Sequence, residues 1–115
     1  MKPGFWLEEF PVAVTVCDRK GKVLEMNRRS VETFAKSGGL RLLGTDLRAC
    51  HPEPARTRLR RLLRSGKTNV YTISKRGRKK LIFQGPWYRN GRRGGLVELS
   101  IELPSRIPHF VRKGL

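Results

Sequence analysis

The stretch that most limits what this chain can fold into is its last third, where two alternating runs flank Asn90-Gly91. A two-residue type I′ turn needs positive φ at both central residues, and Asn-Gly meets that need. The dipeptide therefore predicts an antiparallel hairpin joining a strand over Lys79 to Tyr88 to a strand over Leu96 to Leu103. In the second run Val97, Leu99, Ile101 and Leu103 share one face, and Glu98, Ser100 and Glu102 share the other. The expectation is a sheet buried on its apolar side and wet on its glutamate side. In the first run Leu81 and Phe83 oppose Ile82 and Gln84. Pro86 predicts an edge or a bulge there, because proline cannot donate to a ladder.

Similar signals place the other elements. Val12 to Asp18 is β-branched and reads as a strand, with Val12, Val14 and Val16 on one face. Arg19 to Lys22 turns the chain at Gly21, and Val23 to Met26 completes a first hairpin. Asn27 is placed to cap a helix carrying Val31, Phe34 and Ala35, which Gly38-Gly39 ends. Leu40 to Ala49 is short and interrupted by Gly44, with Thr45 or Asp46 available to cap another turn. His51-Pro52-Glu53-Pro54 makes a rigid joint, and Pro54 suits the first turn of a helix reaching about Arg64. Ala55, Leu59, Leu62 and Leu63 form the apolar stripe of that helix, and Arg56, Arg60 and Arg64 repeat on another face. Thr68 to Ser74 is a further strand, with Tyr71 and Ile73 on one side.

The fold class that follows is α+β, a five-stranded antiparallel sheet with short helices on one face. Space between those helices and the sheet is a natural small-molecule pocket. Residues 1–11 form an N-terminal helical cap built on Phe5, Trp6 and Phe10. Residues 12–103 form the domain. Residues 104–115 form a tail, disordered or docked through Ile107 and Phe110.

With 115 residues the chain fits one domain. Its 37% hydrophobic and 8% aromatic content supports a core, which excludes a disordered basic tail. No secretory signal or membrane-length apolar run is present, so no membrane association is expected and the expected location is the cytoplasm. Cys17 and Cys50 are then expected as reduced thiols. The formal charge of +17 attracts polyanions at least non-specifically.

Several segments together resemble the PAS domain family. Phe10-Pro11-Val12-Ala13-Val14-Thr15-Val16-Cys17-Asp18, Gly21 and Val23-Leu24-Glu25-Met26-Asn27 are similar to its opening hairpin. Phe34, Gly39 and Leu43-Gly44-Thr45-Asp46-Leu47 resemble its middle region. Cys50-His51-Pro52-Glu53-Pro54 resembles its entry to the long helix. Gly91 and Gly95 to Ser100 resemble its last hairpin. The likeness spans Phe5 to Leu103. It extends to bacterial single-domain members with "CHPEP", "YTI", "PWY" and "PHFVR" segments. It implies a sensor that binds a small ligand or a signalling protein and forms a homodimer through its sheet. No output domain is attached to these residues, so output is expected through a separate partner. Asn27, Phe34, His51, Tyr71, Phe83 and Trp87 are the candidate pocket residues this implies. Haem-binding family members make His51 a candidate axial ligand. A flavin photosensor would need an Asn-Cys-Arg segment, and Cys50 sits in Ala49-Cys50-His51 instead.

The plainer readings are an Asn27 that caps a helix, a His51 that shapes the joint and aromatics that fill core. Cys17, Cys50, His51 and His109 are metal-ligating types, but their spacing matches no zinc motif. No nucleophile-base group, phosphate loop or paired carboxylates point to catalysis, so no enzyme is expected. The alternative reading is a nucleic-acid-binding protein. It would use Arg56, Arg60 and Arg64, Lys79 and Lys80, and Arg92 and Arg93, provided these lie on one surface.

Overall fold

The computed structural model describes residues 3–114. Met1 and Lys2 of the expected cap and Leu115 of the expected tail lie outside the described residues. Five strands form one antiparallel sheet: β1 (Ala13–Asp18), β2 (Val23–Met26), β3 (Asn69–Lys75), β4 (Arg78–Arg89) and β5 (Arg92–Glu102). Their spatial order is β2-β1-β5-β4-β3, which puts β5 at the centre. Helices α1 (Arg28–Thr33) and α2 (Ala55–Ser65) lie in the chain between β2 and β3, with three short 3-10 turns between them. They cover one face, and the expected α+β fold is what forms.

The turn and cap signals act where the sequence places them. Asn90 and Gly91 adopt φ of 52° and 76°, as a type I′ hairpin requires. The Asn27 carboxamide oxygen accepts from the Ser30 N–H at 3.0 Å and the Val14 N–H at 2.9 Å. Its amide donates to the Val12 and Leu7 carbonyls at 2.8 and 3.0 Å. One side chain thus caps α1 and fastens β1 and the N-terminal segment to it. Asp46 caps the turn Leu47–Cys50 through the Arg48 N–H at 2.9 Å. Glu53, which carried no signal of its own, accepts from the Thr57 N–H at 3.0 Å and anchors the start of α2.

At the other end of α2, Gly66 is left-handed, and Arg93 donates to the Arg64 carbonyl at 3.2 Å. A cation there opposes the negative end of the helix dipole. Pro86 sits inside β4, which has β5 on one side along its length but β3 on the other over only part of it. Pairing with β3 stops at Gln84, and the β4–β5 register slips between Trp87 and Tyr88. One flank of Pro86 therefore has no strand to bond, so the proline lies at a local edge with a bulge just beyond it, as expected.

Three expectations need correction. The N-terminal segment is two successive turns, closed by Leu7 N–H to Gly4 and Phe10 N–H to Leu7, and not a regular helix. Of the two alternatives for the tail, docking through Ile107 and Phe110 is the one to drop, since they are 61% and 72% exposed. The third concerns the sheet. The apolar core is Cys17, Val23, Met26, Leu42, Leu47, Leu59, Leu62, Leu63 and Leu96. Leu96 and Glu98 share a face, and that face lies under the helices, with Glu98 only 6% exposed. Val97, Leu99 and Ile101 lie on the other, uncovered face and are half-buried. The glutamate side is therefore the inside, because the helical layer supplies polar partners for it.

Candidate ligand site and the buried polar network

The inward face of the sheet is polar at its centre. Register aligns Thr15 of β1, Glu98 of β5, Gln84 of β4 and Asn69 of β3 across four strands. Thr15 hydrogen-bonds the Ser30 hydroxyl of α1. The Gln84 amide donates to Glu98 Oε2 at 2.7 Å, and the Asn69 amide donates to Gln84 Oε1 at 3.1 Å. His51, at the joint leading into α2, completes the chain. Its Nε2 lies 3.3 Å from Glu98 Oε2, and its Nδ1 lies 2.9 Å from the Leu47 carbonyl.

A carbonyl and a carboxylate only accept, so an imidazole bonded to both carries two protons. Burial pulls the His51 pKa down, but the bonds to Cys50 and Glu98, the Glu98 charge and the Leu47 carbonyl outweigh it and raise it to about 10. The result is a buried imidazolium–carboxylate pair joining the α2 joint to the central strand. Cys50 Sγ lies 3.6 Å from His51 Nδ1 and bonds the Leu47 carbonyl at 3.0 Å. With both ring nitrogens protonated, His51 has no lone pair with which to act as a base for that thiol.

Above the pair a cleft of about 550 Å³ opens to solvent, with Ser37, Thr45, Ala49, Cys50, His51 and Arg56 on its walls. Its mix of apolar and polar lining suits a small molecule held by a few directional contacts. Arg56 is held at the rim by donating from Nε to the His51 carbonyl at 3.1 Å.

A family model described as the PAS fold matches residues 7–106. The chain belongs to the PAS fold family. The C-terminal domain of a Streptococcus mutans protein has a similar fold, with a TM-score of 0.65 at 16% identity, over 84% of this chain and 78% of that one. The PAS domain of Bordetella pertussis BvgS gives 0.61 at 17% identity, over 87% and 82%. The Vibrio cholerae Aer2 receptor, described as a dual PAS-heme oxygen sensor, gives 0.59 at 14% identity, over 81% and 95%. Identities this low show the fold alone. No curated protein matches the sequence.

Within this PAS domain the six candidate pocket residues separate. Phe34 and His51 come together, with ring centroids 6.2 Å apart. Tyr71 lies on the same inward face, half-buried, with the Arg58 guanidinium 5.8 Å from its ring centre. Burial, then the Glu98 charge, raises the Tyr71 pKa against the opposing effect of Arg58. Asn27 is 1% exposed, and its carboxamide is engaged by five backbone groups as a cap; it borders a separate cleft beside the N-terminal segment and not the one beside His51. Phe83 is on the uncovered face, opposite Val70 and Leu99. Trp87 lies over Gly94, where a Cβ would stand 2.1 Å from the ring, and donates to the Cys17 carbonyl at 2.9 Å. Glu98 and Gln84 belong to the site and were missed, because alternation assigned Glu98 to the wet side.

The arrangement does not fit haem at His51. The nitrogen that would bind iron lies 3.3 Å from Glu98 Oε2 and is engaged by that carboxylate. Among the described residues no three His, Cys, Asp or Glu side chains converge as metal ligands. Cys17 is fully buried, and burial pushes its thiol up to about 12.

The Arg92-Arg93 and Lys79-Lys80 clusters stand at opposite ends of β4, and the α2 arginines run between them, with Arg58 over Tyr71 and Arg56 on the His51 carbonyl. Arg64 and Arg93 meet, which joins the α2 arginines to the Arg92-Arg93 hairpin. Lys79 and Lys80 stand near the opposite end of β4, roughly 30 Å away at the usual rise per residue. No helix among the described residues is long and apolar enough to cross a membrane.

Proposed function

We propose that this PAS domain is a cytoplasmic sensory module that works by binding and not by catalysis. PAS domains are sensory and signalling modules, and the fold is common to sensor kinases and receptors. The ligand is a small molecule taken into the cleft beside His51. Output passes through the uncovered sheet face to a second copy of the chain, or to a separate signalling protein.

The observation that carries the reading is the His51–Glu98 pair. His51 is on the cleft wall, and Glu98 is on the strand whose next residues, Val97 and Leu99, emerge on the other face. A ligand that repositions the imidazole therefore acts on the centre of the sheet. Breaking such a pair on one side only is strongly unfavourable, so the two groups move together or not at all.

The test combines an absorption spectrum of freshly purified protein with mass spectrometry of small molecules released on denaturation. The expected result is a colourless metabolite, retained by the native chain and lost in Ala49→Trp, which fills the cleft from its rim. A Soret band would overturn the assignment of His51. A metabolite panel producing no saturable amide shift at Ala49, Cys50 or His51 would remove the ligand part. Light scattering addresses the homodimer, and a strict monomer at high concentration would exclude it.

A further inference from the structure

A second cleft, of about 640 Å³, lies between α1 with its following turn and the tip of the β3–β4 hairpin. Six cationic side chains line it: Arg29, Lys36, Lys75, Arg76, Arg78 and Lys80. Two of them are already matched. Arg29 pairs with Glu32 at 3.9 Å, and Arg78 pairs with Glu102 at 3.0 Å. Among the described residues Lys36, Lys75, Arg76 and Lys80 have no carboxylate partner. Lys80 is directly across the ladder from Glu102, yet that carboxylate turns to Arg78 and leaves the half-buried lysine unmatched. Four like charges converging on one concave space repel one another, and an anion placed there relieves all four.

The hairpin tip adds an independent sign. Arg76 adopts φ of 54°, a left-handed conformation that is strained for a residue with a side chain. At the equivalent place in the β4–β5 hairpin stands Asn90, a residue that tolerates it. The fold therefore holds a guanidinium at a position where asparagine or glycine would be more stable. Strain of this kind is retained at binding sites.

We infer that this cleft binds a small molecule carrying two or more phosphate groups, at a site separate from the cleft beside His51. No aromatic side chain lines it, so a nucleobase would find nothing to stack on. A compact polyphosphate is the better match, with ammonium and guanidinium groups as charge-assisted donors.

The experiment is calorimetric titration with inorganic triphosphate, at about 0.15 M salt, where loose surface attraction is screened. The expected result is saturable one-to-one binding. Lys36→Gln with Lys80→Gln should weaken it by about tenfold or more, whereas the equal-charge control Arg60→Gln with Arg64→Gln should change it by less than about twofold. Equal losses in the two pairs, or binding that never saturates, would overturn the site in favour of general attraction by the +17 charge. Displacement of triphosphate by a single-stranded oligonucleotide without terminal phosphates, at equal phosphate concentration, would also overturn it. Arg76→Gly separates binding from folding: it relieves the strain, so it should melt no lower than the parent and bind triphosphate more weakly. Unchanged affinity in that variant would count against the site.

Discussion

The two faces of the sheet invert the usual correspondence between polarity and exposure. The inward face carries Thr15, Gln84 and Glu98 at 2%, 3% and 6% exposure. The outward face carries Leu81, Phe83, Val97, Leu99 and Ile101, all only half-buried. The difference teaches that polarity does not decide direction. What decides it is whether a covering layer brings partners. α1 brings the Ser30 hydroxyl and the joint before α2 brings the His51 imidazolium. Among the described residues every buried side-chain nitrogen or oxygen has a hydrogen-bond partner. A satisfied polar interior is stable, whereas the same interior missing one member is not.

The sharpest way to break this comparison is to remove one member of the inner network. Glu98→Ala leaves the His51 imidazolium and the Gln84 amide without their acceptor. Removing one side of a buried ion pair costs about 3–5 kcal/mol, and that is the expected loss in urea denaturation. Replacing His51 and Glu98 together by leucine should recover most of it, since an apolar pair of similar volume needs no partner. A loss under about 1 kcal/mol in Glu98→Ala would mean that the inner face is not sealed.

The same pair sets a pH dependence. Folding raises the His51 pKa from 6.5 to about 10, so between those values the folded chain holds a proton that the unfolded chain has released. Its contribution is complete below about pH 6.5 and fades as the pH climbs towards 10. The slope is at most about 1.4 kcal/mol per pH unit. Urea midpoints from pH 6.5 upward should therefore fall more steeply for the parent than for Glu98→Gln, which keeps an acceptor but loses the charge. Parallel slopes would show that the imidazolium is not held by that charge.

A smaller effect is expected at the edge of the inner face. Asn27→Ala removes the α1 cap and frees two buried backbone N–H groups, which should cost about 1–2 kcal/mol in the same assay. No measurable loss would show that water replaces the carboxamide, so that this corner is open.

What the sequence made legible follows the same division. Turns and caps are local chemistry, so Asn90-Gly91, the Asn27 cap and the Leu59–Leu62–Leu63 stripe were readable and stand as read. The direction of β5 was not, because alternation distinguishes two faces without saying which one the helices will meet. That information lies in His51, 47 positions away from its partner Glu98. The site residues suffered likewise. Phe83 and Trp87 looked like pocket aromatics, but each lies over a glycine, Phe83 over Gly85 and Trp87 over Gly94. Flanking glycines were the available signal, since a residue without a Cβ leaves room for a ring to lie flat.

The outward face offers the gentlest test and the one that bears on signalling. Leu99 is half-buried between Val14 and Phe83, its ladder neighbours, with no helix above it. Leu99→Lys should therefore change monomer stability by only about 0.5–1 kcal/mol, because the lysine stem keeps much of the apolar contact while its ammonium reaches water. Its effect on association should be far larger. If the uncovered face is where a second copy docks, a charge at its centre is buried unpaired against its own symmetry mate. Light scattering should then show dimer in the parent and monomer in Leu99→Lys at equal concentration. A dimer that survives the lysine would place the contact elsewhere on the chain. A large loss of stability in the monomer would instead mean that this face is covered by the chain itself, and the contrast between the two faces would be smaller than their exposures indicate.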